Sequence, residues 1–450
     1  IDPERDVDRY IDLAEANGLT IVATAETHIH ADFVSGSREL AERVGAKVYV
    51  SGEGGSDWSY GWLDDKTGGG SYDHVLLTDE DSFRIGEIEL RAVHTPGHTP
   101  EHLVFVVTDR GGGATEPIGV ATGDFVFVGD LGRPDLLETA AGMAGQMEPS
   151  ARRLHDSVGI LEDLPEFVQV WPAHGAGSAC GKALGAIPTS TIGYEKRFNP
   201  AIRAAGDEER FVEFILADQP EPPMYFKNMK RVNKVGPAVL GGVPSPERIG
   251  ADGLGGLDTS RVVLADTRPW EEFRAGHVPG SLSFPLTKSF PTDAGSMIGE
   301  GDEIHLVAPE EDVEEAIRCL IRIGLDNIRG WATPADVVAL AESGVALDTV
   351  DEIGVPDAAG LVERGAVTVL DVRRAAEFRE GHVRGATNIS HTRLAGRLDE
   401  VPSGKRLLIN CRSGARSARA SAYLKRRGYE VTNLAGGFLA WDESGAPVER

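Results

Sequence analysis

The second half of the chain repeats itself with a period of 105 residues. A stretch that begins LADTRPWEEF at Leu264 recurs as LDVRRAAEFR from Leu370. A period of this length indicates two copies of a whole domain, because solenoid repeats are much shorter. Five pairs of residues keep the same spacing: Asp266 and Asp371, Arg268 and Arg373, Phe273 and Phe378, His277 and His382, Gly280 and Gly385.

The rest of the chain differs in character from this repeat. Helical and strand patterns alternate through about residue 230, with histidines in the connecting loops. Among them, Phe33–Val44 has the spacing of a helix and Arg84–Val93 has the pattern of a strand. The segment Gly236–Gly256 is rich in glycine and proline, as linkers are. We therefore predict an α/β protein with domains at residues 1–235, 247–345 and 350–450 and a linker at 236–246. The chain begins at Ile1-Asp2-Pro3, which resembles the end of a strand. Whether further residues precede Ile1 is therefore left open.

The last domain carries a candidate nucleophile. The loop CRSGARS starts at Cys411, follows the apolar run Leu407–Ile409 and leads into a helical stretch, Ala418–Arg426. Backbone N–H groups of such a loop, the helix N-terminus and the side chains of Arg412 and Arg416 favour a thiolate or a persulfide anion. The loop and the upstream DVR, EF and GHVRGA segments resemble rhodanese sulfurtransferases. A phosphatase loop would have one more residue between cysteine and arginine.

The middle domain keeps the frame of this repeat and lacks the nucleophile. The position of Cys411 maps back to about Leu306–Ala308, where the chain has no cysteine. The acidic residues Glu310, Glu311 and Asp312 replace the arginines and would repel an anion. We predict a catalytically silent rhodanese domain in which Cys319 is a core residue.

The first domain contains four segments with possible metal ligands. In THIHADF the two histidines are two residues apart, so in an extended segment they face the same side. The order of the segments resembles the metallo-β-lactamase superfamily, which implies a four-layer αββα sandwich with its ligands on loops at one edge. The candidate residues are His28, His30, His94, His98, His102, Asp124 and His174.

One departure from the superfamily motif narrows the resemblance. Binuclear hydrolases have a histidine ligand of the second metal where this chain has Phe33, whose ring cannot bind metal. The sequence is most similar to the persulfide dioxygenase branch, which implies His28, His98 and Asp124 as ligands of one Fe(II) per chain. His30 and His174 are then expected to support the ligands or to handle protons, and His94 and His102 have no clear role.

A cysteine follows the last histidine segment, in GAGSACGKAL. Fused dioxygenase–rhodanese proteins, which the chain resembles throughout its length, have a cysteine in this segment, which implies that Cys180 receives or holds a sulfane sulfur near the metal. The alternative, that Cys180 is a small residue packed under a tight loop, stays open at this point.

Charge and cysteine content limit the possible partners. A net charge of −26 and a pI of about 4.9 argue against nucleic acid and anionic membranes as partners. Three scattered cysteines do not suit a disulfide framework and favour the cytoplasm.

The resemblance implies that O₂ oxidises a low-molecular-weight thiol persulfide to sulfite, and that Cys411 transfers sulfur to give thiosulfate. The alternatives are a glyoxalase II-like zinc thioester hydrolase with an attached sulfurtransferase, and a sulfur carrier or sensor with a vestigial metal site. The thiol carrier and a possible homo-oligomer are left open.

Overall fold

The computed structural model describes residues 1–140, 142–182 and 184–450. These residues form two compact α/β units. The first unit comprises Ile1–Pro222 and Phe226–Gly242, and the second comprises Pro223–Tyr225 and Val243–Arg450. No helix within the described ranges is long and apolar enough to cross a membrane.

The first unit is built on two sheets that enclose a common apolar core. One sheet has three parallel strands in the order β1-β2-β3, and the other has six in the order β11-β10-β7-β6-β5-β4. Ala25 and Leu77 of the small sheet pack with Leu90 and Phe105 of the large one. The strands are β1 (Ala23–Ala25), β2 (Lys47–Ser51), β3 (His74–Leu77), β4 (Ser82–Ile85), β5 (Ile88–His94), β6 (Leu103–Asp109), β7 (Gly119–Gly123), β8 (Val126–Phe127), β9 (Asp130–Leu131), β10 (Gln169–Pro172) and β11 (Ser190–Thr191).

Helices cover the outer faces of both sheets. A second apolar core joins the large sheet to α4, α6 and α7, and smaller cores lie between the small sheet and its helix α2. This arrangement of helix, sheet, sheet and helix is the predicted sandwich, and it leaves the strand ends free to carry loops. The helices are α1 (Asp8–Ala16), α2 (Ser37–Val44), α3 (Leu136–Thr139), α4 (Met147–Val158), α5 (Ile192–Phe198), α6 (Pro200–Ala204), α7 (Glu208–Leu216) and α8 (Phe226–Val235).

The second unit contains two parallel sheets of five strands each. Their orders, β12-β16-β15-β13-β14 and β17-β22-β21-β18-β20, are the same when strands are counted within each sheet. The strands are β12 (Glu247–Arg248), β13 (Val263–Asp266), β14 (Leu282–Ser283), β15 (Ile304–Val307), β16 (Ile328–Ala332), β17 (Asp351–Ile353), β18 (Thr368–Asp371), β19 (His382–Val383), β20 (Thr387–Asn388), β21 (Leu407–Asn410), β22 (Val431–Leu434) and β23 (Val448–Glu449).

The repeated residues brace the two sheets in the same way. Arg268 donates to the carboxylate of Asp266 and to the carbonyl of Gly276, and Arg373 makes the same two contacts with Asp371 and Gly381. These aspartates and arginines therefore support the fold. The helices of this unit are α9 (Gly250–Gly256), α10 (Trp270–Ala275), α11 (Phe290–Met297), α12 (Val313–Arg322), α13 (Pro334–Glu342), α14 (Val355–Glu363), α15 (Ala375–Glu380), α16 (Ala415–Arg426) and α17 (Gly437–Glu443).

Two local predictions need correction. The continuous strand expected over Arg84–Val93 is a hairpin of β4 and β5, because Gly86 has a φ of 59° and turns the chain. The helix expected from Phe33 begins at Ser37. Residues before Ser37 form a loop instead, in which Ser35 and Phe33 are held by the side chain of Asn233.

Candidate functional sites

Three strand ends of the first unit bring together the predicted metal ligands. His28 follows β1, His98 lies in the loop between β5 and β6, and Asp124 follows β7. All three side chains are buried, and one ligand atom from each lies within 4.8 Å of the others. Atoms bound at about 2.0–2.2 Å to one metal ion lie at comparable separations, so the three residues fit a shared cation.

Hydrogen bonds orient both imidazoles toward this point. Thr27 Oγ1 donates to Asp2 Oδ2 at 2.9 Å and can therefore accept from Nδ1 of His28, also at 2.9 Å. Nδ1 of His98 donates to the carbonyl of Arg133 at 3.0 Å. Burial lowers the pKa of His28 and of His98, which keeps both rings neutral. Each ring thus presents an Nε2 lone pair to a metal.

The carboxylate ligand is held by a histidine whose role the sequence did not reveal. His102 Nε2 accepts a hydrogen bond from the backbone N–H of Asp124 at 3.1 Å, and its Nδ1 lies 2.8 Å from Thr95 Oγ1. Burial lowers the pKa of His102 well below its usual value, so Nε2 remains an acceptor. His102 therefore fixes the turn that carries Asp124, whereas the ring of His94 donates to the carbonyl of Pro100, away from the ligands.

His30, the second histidine of THIHADF, interacts with carboxylates. Its Nε2 lies 2.9 Å from Glu26 Oε2 and 3.3 Å from Asp2 Oδ1. Burial opposes protonation, but these two carboxylates raise the pKa of His30 well above its usual value. The ring of Phe33 packs on His30 with 4.2 Å between ring centroids. His30 is thus a buried cation beside the ligands.

A second group of donors adjoins the first. His174 Nε2 lies 3.1 Å from Asp32 Oδ2 and 3.3 Å from Asp124 Oδ1. Burial opposes protonation, yet Asp124 and Asp32 raise the pKa of His174 well above its usual value. Cys180 Sγ lies within 4.8 Å of donor atoms of both His174 and Asp32. Burial raises the pKa of Cys180 to about 12, so its thiol is protonated at neutral pH.

In the second unit, Cys411 lies between the end of β21 and the start of α16. Its Sγ accepts a hydrogen bond from the N–H of Gly414 at 3.2 Å and one from Ser417 Oγ at 3.5 Å. Gly414 has a φ of 105°, a conformation that glycine adopts without strain. The Cys411 loop, residues 411–416, thus directs a backbone donor at the sulfur.

The two arginines of this loop have different surroundings. The guanidinium of Arg416 donates to both carboxylate oxygens of Glu377 at 2.7 Å, whereas Arg412 is exposed. Because the carboxylate of Glu377 neutralises the charge of Arg416, Arg412 is the arginine more accessible to an incoming anion.

The middle module has the same frame without the sulfur. Thr267 donates its N–H to the carbonyl of Val307, as Val372 donates to Asn410 in the last module. Ala308 therefore stands where Cys411 stands in the other copy, and an acidic turn, Glu310–Asp312, follows it. Cys319 is buried in α12, as expected for a core residue.

Comparisons with known proteins agree with this division of the chain. Residues 1–174 match the "Metallo-beta-lactamase superfamily" and residues 355–444 match the "Rhodanese-like domain". A solved metallo-beta-lactamase from Staphylococcus aureus subsp. aureus COL is 39% identical, with a TM-score of 0.65, and the match covers 74% of this chain and 90% of that one. The chain belongs to the metallo-beta-lactamase superfamily. It also contains a rhodanese-like domain, which contributes the Cys411 loop.

The curated relatives of this superfamily member match parts of it. The chain spans about half the length of the first two curated relatives that it matches. One of these, a "Beta-lactamase hydrolase-like protein" of Xylella fastidiosa, is 31% identical over 247 residues, which are 52% of this chain and 50% of that protein. A "Hydroxyacylglutathione hydrolase" of Gloeobacter violaceus is 32% identical over 158 residues, 35% of this chain and 50% of its own. A "Sulfurtransferase" of Allochromatium vinosum is 38% identical over 89 residues, 20% of this chain and 83% of its own.

A buried carboxyl group beside the metallo-β-lactamase site gives a pH-dependent prediction. Glu101 Oε1 accepts from the N–H of Ile29 at 2.7 Å, and burial raises the pKa of Glu101 from 4.5 to about 7. Between these values the folded chain binds the proton more tightly than the unfolded chain. The free energy of unfolding should therefore fall, by roughly 3 kcal/mol in total, as the pH rises through this window.

Glu101→Gln removes this titration and keeps the acceptor for Ile29. Both proteins are measured without metal. The free energy of unfolding of the variant minus that of wild type should rise by roughly 3 kcal/mol between pH 4.5 and 7. Urea unfolding followed by tryptophan fluorescence reports on Trp58 and Trp62, which are buried in the same unit. A constant difference between the two proteins at every pH would contradict the assignment.

Proposed function

We propose that this chain oxidises a low-molecular-weight thiol persulfide with O₂ to give sulfite, and that Cys411 then transfers sulfane sulfur to form thiosulfate. The observation that carries the proposal is the buried donor set of His28, His98 and Asp124, next to a motif that has Phe33 in place of a further ligand. A protein with this activity would remove persulfides derived from sulfide in the cytoplasm.

The donor set suits Fe(II), one ion per chain. Two imidazoles and one carboxylate make the facial triad of non-haem Fe(II) oxygenases. Nε2 of His28 and both carboxylate oxygens of Asp124 are buried and have no hydrogen-bond partner among the described residues, as expected of metal ligands. Fe(II) bound there would supply one-electron and O₂ chemistry with positions open to the substrate sulfur and O₂.

Residues around the triad would transfer protons and support the loop that carries the ligands. The reaction RSSH + O₂ + H₂O → RSH + SO₃²⁻ + 2 H⁺ releases two protons, which need acceptors. His174, which Asp32 and Asp124 hold protonated, would donate its proton to the departing thiolate and then regain a proton that the reaction releases. His30 is engaged by Glu26 and Asp2, so it supports the ligand loop through its charge.

Sulfur transfer by the rhodanese-like domain needs a nucleophile, and it needs hydrogen-bond donors that stabilise the anionic sulfur of that nucleophile. Cys411 thiolate would attack the outer sulfur of a second persulfide, RSSH, and release the thiol RSH. Sulfite would then attack the outer sulfur of the Cys411 persulfide, which forms the S–S bond of thiosulfate and restores Cys411. The N–H of Gly414 and the hydroxyl of Ser417 stabilise the sulfur anion.

The surroundings of Cys180 indicate which part it plays in sulfur transfer. Its buried position beside His174 and Asp32 puts it within reach of a substrate at the triad, while its high pKa makes it a weak nucleophile in the absence of a base. We propose that Cys180 acts as an auxiliary sulfur acceptor and that Cys411 is the principal carrier.

O₂ uptake by protein of known iron content is the direct test. Purified chain loaded with Fe(II) should consume about one O₂ per sulfite or thiosulfate formed from a defined persulfide, as the balanced reaction requires. Uptake that does not scale with iron content would refute the dioxygenase assignment. Persulfides of glutathione, coenzyme A and bacillithiol, compared in the same assay, identify the thiol carrier.

A zinc thioester hydrolase with an attached sulfurtransferase is the second candidate. The 32% identity to a hydroxyacylglutathione hydrolase over 158 residues favours it. Protein that retains zinc, hydrolyses a glutathione thioester and takes up no O₂ with persulfide would establish this alternative.

The residue at the departure from the motif can be tested directly. Phe33→His adds an imidazole directly after Asp32, whose Oδ2 lies 3.1 Å from His174 Nε2. We expect bound metal to rise from about one toward two ions per chain, and O₂ uptake to fall because the second ion crowds the open face. Metal analysis and oxygraphy measure both effects.

Phe33→Leu is the matched control, because it also removes the aromatic contact with His30 and adds no ligand. It should leave the metal content near one ion per chain. Two ions in the wild-type protein would show that our account of Phe33 is wrong.

A further inference from the structure

A carboxylate of the silent module, residues 247–345, is buried against the module that carries Cys411. Asp293 on α11 accepts a hydrogen bond from Arg419 Nε at 3.0 Å, and its other oxygen lies 3.2 Å from His391 Nε2. Both partners belong to the last module, and Asp293 also accepts from Ser289, the residue that precedes α11. The residue therefore joins the two rhodanese copies through two separate contacts.

Charge and burial make this contact a specific one. The side chains of Asp293 and Arg419 are 3% and 8% exposed. Burial opposes ionisation, but the hydrogen bond from His391 and the charge of Arg419 lower the pKa of Asp293. A buried ion is costly unless its partner is in place, so each of the two charges requires the other.

Arg419 leads from this contact to the Cys411 loop. Its NH1 group donates to the carbonyl of Ala415 at 2.7 Å. Ala415 is the fifth residue of the loop and follows Gly414, whose N–H donates to Cys411 Sγ at 3.2 Å. The path from the carboxylate to the sulfur thus runs through one guanidinium and the backbone of two adjacent residues, Ala415 and Gly414.

We propose that Asp293 of the silent module is a positioning residue for the Cys411 loop. It fixes the guanidinium of Arg419, which holds the Ala415 carbonyl and the first turn of α16, and so keeps the N–H of Gly414 directed at the sulfur. The inference rests on the proposed role of Cys411 as nucleophile. It assigns to the module without a cysteine a part in the chemistry of its neighbour.

The test measures the reactivity of Cys411 rather than overall stability. In the chain of residues 1–450, the rate of Cys411 alkylation by iodoacetamide is followed against pH by peptide mapping. Asp293→Ala should move the midpoint of this profile upward by about one pH unit, which is about tenfold slower alkylation below the midpoint. Asp293→Asn keeps the size and one acceptor and should give a smaller shift in the same direction.

A second contact between the modules provides the control. Glu352 of the last module accepts from Trp270 Nε1 at 2.7 Å and lies 3.6 Å from Arg274 Nε. Among the described residues, no hydrogen bond or ion pair joins either partner to the Cys411 loop. Glu352→Gln should lower the melting temperature without moving the alkylation midpoint. The charged groups beside the loop, Arg416 with Glu377, are the same in both variants.

The outcomes separate the inference from the function on which it rests. A wild-type midpoint in Asp293→Ala, or an equal shift in Glu352→Gln, would overturn the positioning role. If Asp293→Ala does not fold, Asp293→Asn and Arg419→Lys, which keeps the charge but cannot span both partners, carry the same expectation. Wild-type protein that transfers no sulfur through Cys411 would instead refute the proposed function.

Discussion

His98→Ala should abolish metal retention and reduce O₂ uptake by more than about 100-fold, because loss of even an outer partner of a ligand commonly costs about 10- to 100-fold. His98 supplies one of three donor atoms, and its Nδ1 is already committed to the carbonyl of Arg133. Alanine leaves the site without that donor and without a side chain to replace it. Metal analysis and oxygraphy on the purified variant give both values.

Sulfur transfer by the same variant should remain within about twofold of wild type, since Cys411 belongs to the other compact unit. Thiosulfate-dependent transfer to a thiol acceptor measures it. His155→Ala is a matched control, because this partly buried histidine on α4 contacts the carbonyl of Ala205 and no metal donor. Loss of both activities in a folded His98→Ala protein would defeat the modular division of the chemistry.

Cys411→Ser should lower sulfur transfer by more than about 1,000-fold, as removal of a nucleophile does in other enzymes. Iron content and O₂ uptake should stay at the wild-type level. Because sulfite would lose its donor on the chain, the product should change from thiosulfate to sulfite. Chromatography of both anions, from one persulfide and under one O₂ concentration, measures this change.

Two further cysteines make the experiment decisive. Cys319→Ser is the control, because Cys319 is a core residue of the silent module and should leave the product ratio unchanged. Cys180→Ser tests the auxiliary acceptor, and the Cys180→Ser, Cys411→Ser double variant tests both carriers together. Unchanged thiosulfate from the double variant would rule out both cysteines as obligatory carriers and leave free persulfide as the donor.

The candidate ligands could be named because the chain resembles the motifs of a known superfamily. Each of them lies in a segment that leaves a strand of the first unit, and such segments meet at the edge of the sheets. The structure brings the donor atoms of His28, His98 and Asp124 together. The duplication was likewise visible, since Asp266 and Asp371 recur with their arginines in the same positions of two sheets of equal order.

What the sequence could not give was the choice of partner for each polar group. His102 binds the N–H of Asp124, and Arg416 binds Glu377, 39 residues away. Asp293 and Arg419 are 126 positions apart. Such pairs depend on how helices and loops pack, and neither spacing nor periodicity records them. The same limit applies to Gly86, where one turn converts an apparent strand into a hairpin.

The equal strand order of the two five-stranded sheets of the second unit creates a hazard for folding. Neighbouring repeats with the same topology can exchange strands and become trapped in misassembled forms. The Asp–Arg pairs that brace the two sheets do not favour correct assembly over a swapped one, because both copies have them. The contacts of Asp293 with Arg419 and of Glu352 with Trp270 join unlike surfaces, so they form only when each copy has kept its own strands. They stabilise correct assembly over a swapped one, which lets two similar sequences persist side by side in one chain.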